Sequence, residues 1–131
     1  MTIQTYIENI NRRYQTGISR EHSYRGDLQT LLETLAPDVL VTNEPARIKC
    51  GAPDYVLTRE NVEVGYIEAK DIGVNLKSKT LKEQFDRYRK ALPNLIFTDY
   101  LEFHFYTDGD FVTSIAIAEV QNGAIVALPN V

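Results

Sequence analysis

Apolar residues recur at helical spacing near the start of the chain. Ile3, Tyr6, Ile7, Ile10 and Tyr14 fall on one side of a helix drawn over residues 3–14. The stretch TGIS at 16–19 breaks it. Tyr24, Leu28, Leu31, Leu32 and Leu35 predict a second helix over roughly 21–35, stopped by Pro37. DVLVTNEP reads as a short strand ending in a turn at Asn43 to Pro45, and ARIKCGAP as a strand or loop that bends at Gly51 and Pro53. DYVLTR (54–59) and EVGYIEAK (63–70) flank a tight turn at Glu60 to Val62 and predict a β-hairpin. DIGVNLKSK is a loop. TLKEQFDRYRKAL then predicts a third helix, with Thr80 and Glu83 as a capping box and Pro93 as its stop. Leu81, Phe85, Tyr88 and Leu92 give that helix its core stripe. NLIFTD is an apolar strand of the kind buried on both faces. Residues 101–120 alternate as a hairpin turning at Asp108-Gly109. The order α-α-β-β-β-α-β-β-β predicts an α/β fold, a mixed sheet with helices packed against it.

Composition narrows the picture. A chain of 131 residues fits one domain, and 44% hydrophobic residues suffice for a real core. A single cysteine, Cys50, excludes an internal disulfide and fits a reducing cytoplasm. It is expected to be buried rather than catalytic. No apolar run approaches the ~20 residues of a membrane span. The opening MTIQTYIENINRRYQ is polar and amphipathic, unlike a signal peptide. A net charge of −4 argues against a general nucleic-acid binder, because phosphate contacts need clustered cations. One cluster exists. Lys77, Lys79, Lys82, Arg87, Arg89 and Lys90 are opposed only by Glu83 and Asp86. Such a run is either an ordinary wet helix face or a track for a nucleic-acid backbone.

The chemistry gathers around GAPDYVLTRENVEVGYIEAKD (51–71). Side chains two apart on a strand share a face, so Glu68 and Lys70 project together while Ala69 turns to the core. A tight turn near residue 61 would set Asp54 opposite Glu68 or Lys70. Two carboxylates within ~4–6 Å repel, and one pKa rises unless a cation lies between them. A hard divalent ion such as Mg²⁺ suits that place, taking one or two carboxylates and filling its other positions with water and phosphate oxygens. The alternative is an Asp/Glu/Lys cluster on a solvated sheet face. In the third helix Gln84 and Tyr88, spaced i, i+4, lie side by side. They could meet a phosphate or a water, or be surface and core residues respectively. His22 and His104 read as surface or packing histidines. No second His or Cys stands at zinc spacing, and no G-x-x-x-x-G-K-[ST] stretch is present.

APD, YIEAK and EQFDRY, in this order and at these spacings, resemble the PD-(D/E)xK nuclease superfamily, in the branch that adds a Q-x-x-x-Y helix motif. Residues 20–110 resemble more closely the N-terminal nuclease domain of type ISP restriction-modification enzymes. The resemblance implies a restriction-endonuclease-like fold: a central mixed sheet flanked by helices. It implies Mg²⁺-dependent hydrolysis of double-stranded DNA, with Mn²⁺ as a substitute and without sequence specificity of its own. Asp54 and Glu68 would ligate the ion, the Ala69 carbonyl could add a ligand, and Lys70 would position the attacking water. Gln84 and Tyr88 would support phosphate or water. Glu21 would complete the site or merely cap the second helix. Residues 1–131 would form a single nuclease domain of a larger cytoplasmic polypeptide carrying translocase and methyltransferase domains. Double-strand cleavage would call on a second nuclease domain. A stand-alone repair or recombination nuclease and an inactive binding module of the same fold are the rival readings.

Overall fold

The computed structural model describes residues 1–43, 53–129 and 131. The sequence readings at 44–52, Cys50 among them, and the reading of the Gln84 side chain lie outside the described residues. Among the described residues three α-helices, α1 (Ile3–Tyr14), α2 (Arg25–Leu35) and α3 (Lys79–Ala91), pack around eight strands. The strands are β1 (Leu40–Asn43), β2 (Tyr55–Arg59), β3 (Val62–Ala69), β4 (Asn94–Thr98), β5 (Glu102–Thr107), β6 (Asp110–Ala116), β7 (Ala118–Gln121) and β8 (Ala124–Ala127). Six form one sheet in the order β1-β2-β3-β4-β5-β6, and β7-β8 form a separate hairpin. All neighbouring pairs of the large sheet are antiparallel except β3–β4, which run parallel because α3 lies between them in the chain. Among the described residues no helix is long and apolar enough to cross a membrane.

The alternation of side chains divides the core into two layers. On one face Tyr55, Ile67 and Ala69 pack with Tyr6, Ile7 and Ile10 of α1 and Leu28 and Leu31 of α2. On the other, Val56, Tyr66, Leu95 and Phe97 pack with Phe85 and Leu92 of α3. Phe85 stacks on Phe97 at 4.4 Å between ring centres. Glu68 shares the α3 face with Phe97 and His104, its lateral partners across β4 and β5.

Local chemistry sets the element boundaries. Glu60 and Asn61 both take positive φ, the backbone twist of a two-residue hairpin turn, where the sequence placed it. Asp108 and Gly109 do the same between β5 and β6. The expected second helix begins late. Residues 21–24 form a 3-10 turn, held by Ser23 Oγ accepting from the Arg20 amide at 3.0 Å, and α2 follows from Arg25. Leu35, expected in its core stripe, is exposed because α2 ends there and the chain turns away. The third helix starts one residue early, capped by Ser78 and not by Thr80: Ser78 Oγ accepts from the Leu81 amide. Ser78→Ala should therefore cost about 1 kcal/mol in urea unfolding, and Thr80→Ala much less. The expected strand through residue 120 breaks at Ile117, and a second hairpin follows with its turn at Asn122-Gly123.

Candidate active site

Asp54 stands just ahead of β2, on the buried Pro53. The register pairs Tyr55 with Ile67, which sets Asp54 against Glu68. Its carboxylate finishes the β2–β3 ladder in place of a backbone acceptor, since Asp54 Oδ2 accepts from the Ala69 amide at 2.7 Å. The other oxygen, Oδ1, accepts from Arg25 Nη2. Arg25, the first residue of α2, is 6% exposed. Its carbonyl accepts from the Tyr55 hydroxyl at 3.0 Å, so guanidinium and backbone tie the start of α2 to the start of β2.

Glu68 and Lys70 project together as expected, with Lys70 Nζ 3.7 Å from Glu68 Oε1 and Ala69 buried between them. The second oxygen, Glu68 Oε2, is buried and meets no hydrogen-bond partner among the described residues. Burial pushes the Glu68 carboxyl up to about 7; Asp54 and then Glu21 add to the rise, and Lys70 opposes it. An acid in this state is a carboxylate short of positive charge.

The Lys70 amide donates to the Thr98 carbonyl at 2.8 Å, continuing the parallel ladder. Amide and carbonyl of one trans peptide point in opposite directions. The Ala69 carbonyl therefore faces away from β4, toward the side on which Asp54 lies. Asp54, Glu68 and this carbonyl thus offer oxygen donors from one end of β2 and β3, a donor set suited to a hard divalent ion.

Glu21 lies in the 3-10 turn, close enough to raise the Glu68 pKa. Its carboxylate is 3.7 Å from His22 Nε2, and its carbonyl accepts from the Tyr100 hydroxyl at 2.5 Å. Among the described residues no three His, Cys, Asp or Glu side chains converge on one metal position, so Glu21 adds charge without closing a three-carboxylate set. Tyr88 is half-buried on α3 beneath Arg87, whose guanidinium carbon sits 5.8 Å from its ring centre. Gln84 lies one turn earlier on the same helix. A cleft of about 220 Å³ opens here, lined by Glu68, Lys70, Arg87 and Tyr88, with Leu81, Phe85 and Phe97 as its apolar wall. Of the histidines, His22 is exposed, whereas His104 is buried with Nε2 2.9 Å from Glu102 Oε1.

Arg25 is the site residue that sequence reasoning missed. A lone arginine at a helix start carries no motif, and only the fold brings it to Asp54. Its position directly after Tyr24, a core residue, hints only that it lies near the buried side of the helix.

No family model matches this chain, and no curated protein matches it. Among solved structures it is similar to a chain of the DrdV–DNA complex, determined by cryo-electron microscopy, with a TM-score of 0.70 and 21% identity. The likeness covers 86% of this chain and 12% of that one. At this identity it shows the fold, and the fold is the restriction-endonuclease-like one: a mixed six-stranded sheet flanked by helices.

Proposed function

We propose that this chain is a Mg²⁺-dependent DNA nuclease domain that hydrolyses phosphodiester bonds in the cleft at Glu68 and Lys70. One observation carries the reading. Glu68 is buried beside Asp54, with one oxygen on Lys70 and the other without a hydrogen-bond partner among the described residues. A divalent cation answers that arrangement, and Asp54, Glu68 and the Ala69 carbonyl would hold it. When bound, Mg²⁺ supplies positive charge to a phosphate oxygen and lowers the pKa of a water; Mn²⁺ would serve in its place.

The chain's own residues do the rest. Arg25 and the Ala69 amide fix the Asp54 carboxylate before any substrate arrives, which lowers the cost of ordering it later. Lys70 holds its ammonium group beside Glu68, where it orients an attacking water and meets charge developing on the phosphate. Tyr88 offers a hydroxyl from α3, and the Gln84 side chain is assigned the same supporting role. Leu81, Phe85 and Phe97 keep one wall of the cleft dry, strengthening each electrostatic contact within it.

DNA as substrate draws support from the fold shared with a chain solved in a DNA complex and from the cation run on α3. The domain would serve a larger single-polypeptide enzyme of the type ISP kind, alongside translocase and methyltransferase domains. In the similar chain this fold makes up 12% of the length, so there it is one part of a longer polypeptide. One site cuts one strand, so a double-strand break takes a second such domain or a second event.

Plasmid nicking tests the reading. Metal-free protein should leave supercoiled plasmid intact and nick it when Mg²⁺ or Mn²⁺ is titrated in. Lys70→Ala should slow nicking about a hundredfold, the usual loss when one charge-stabilising donor is removed. Metal binding followed by calorimetry should disappear in Glu68→Ala. Nicking that survives Lys70→Ala and Asp54→Asn at the wild-type rate would end the assignment.

A further inference from the structure

A second cleft, of about 390 Å³, opens on the other flank of α3, and Phe85 is a wall of both clefts. Aromatic rings line its floor. Phe85 and Tyr106 meet edge to face at 4.8 Å, Tyr106 and Phe111 at 5.6 Å, and His104 and Phe111 at 6.2 Å. Phe111 lies on the edge strand β6 and is 53% exposed, so a large part of its ring is free to be covered by a flat partner. Lys77 and Lys82 line the same cleft, both exposed, and neither forms an ion pair among the described residues. Arg89 also lines it, its guanidinium held by Asp86 at 3.1 Å. Among the described residues no carboxylate belongs to this lining.

These features select a ligand class. A purely apolar ligand has no use for two unpaired lysines, and a free phosphate has none for an aromatic floor. A nucleotide unit uses both, with its base stacked on a ring and its phosphate on the ammonium groups. The volume falls within the range of small-ligand sites. Bases inside a duplex are already stacked on one another, so a stacking platform serves unpaired strands. We infer that the second cleft seats an unpaired stretch of the DNA strand next to the one cut at Lys70. The identity of that polymer as DNA rests on the nuclease reading.

Fluorescence anisotropy with a short labelled oligothymidylate, in chelator so that no cutting occurs, tests the inference on the whole chain. Phe111→Ala and Lys82→Glu should each weaken binding roughly tenfold, and Phe111→Tyr, which keeps a ring, should restore it. Both wild-type positions are exposed, and unchanged thermal midpoints would show that the variants fold. Equal affinity for a blunt duplex, equal affinity for thymidine monophosphate, or binding indifferent to Phe111→Ala would overturn the proposal. Failure of the nuclease reading shows elsewhere, as absent Mg²⁺-dependent plasmid nicking by wild-type protein.

Discussion

Arg25→Met should unfold with a stability about 3–5 kcal/mol below wild type in metal-free urea titrations, the cost of leaving one member of a buried ion pair alone. Both partners are inside: the Arg25 side chain is 8% exposed and that of Asp54 13%. Removing the guanidinium leaves Asp54 Oδ1 without its charged donor, while Oδ2 keeps the Ala69 amide. The orphaned carboxylate also lies next to Glu68, so two acids then share a place with Lys70 as their close cation. Mg²⁺ should narrow the gap between variant and wild type: without the guanidinium the acidic pair binds the ion more tightly, and an ion that binds only the folded chain adds more stability the lower its Kd. The double variant Arg25→Met, Asp54→Asn should lose less than the sum of the two single losses, since removing the charge removes the need for its partner. A loss under 1 kcal/mol in Arg25→Met would mean that water, and not the guanidinium, satisfies Asp54.

Much of the fold was legible because its signals are local. The stripe Tyr6, Ile7, Ile10 marks a helix whose buried face needs nothing from the rest of the chain to be recognised. The turns at Glu60-Asn61 and Asp108-Gly109 were visible because short polar pairs there suit positive φ. The same rule was available at Asn122-Gly123, where an NG pair sits between AEVQ and AIVA, and β8 could have been read from it. The break at Ile117 is different. Its amide donates to the Leu101 carbonyl and its carbonyl accepts from Leu128, so a distant pairing decides where β6 ends. The start of α2 was misplaced for a similar reason. Tyr100, buried at positive φ, reaches across to the Glu21 carbonyl and anchors a 3-10 turn where helical periodicity alone continues the α-helix.

The site divides along the same line. Asp54, Glu68 and Lys70 follow from strand alternation and one hairpin turn, both of which are rules of spacing. The Arg25 contact depends on the packing of α2 against the head of β2, which no spacing encodes. The half-buried setting of Tyr88 was equally undecidable. At the edge of its apolar stripe a tyrosine serves core and cleft at once, packing against the α3 layer while lining the space beside Lys70.

Glu68→Gln should make the metal-free protein more stable at pH 8 while abolishing Mg²⁺-dependent nicking. The Glu68 carboxyl moves from an ordinary 4.5 to about 7 on folding, burial being the main cause and Asp54 the next. Between those values the folded chain binds more protons than the unfolded chain, so stability falls as pH rises. The contribution is fully present below about pH 4.5 and lost above about pH 7. A displacement of this size corresponds to roughly 3 kcal/mol as a ceiling. The lost pairing with Lys70 takes some of it back, leaving a net gain of about 1–2 kcal/mol, or several degrees in Tm. The slope of stability between pH 5 and 7 should flatten in the glutamine variant. At pH 8 Mg²⁺ should raise the wild-type midpoint and leave that of Glu68→Gln nearly unmoved. A chain that becomes more stable when a carboxylate is neutralised has kept that carboxylate for something it binds. The opposite result, a less stable variant with an unchanged pH slope, would mean that Glu68 is a structural partner of Lys70 and that the cleft holds no cation.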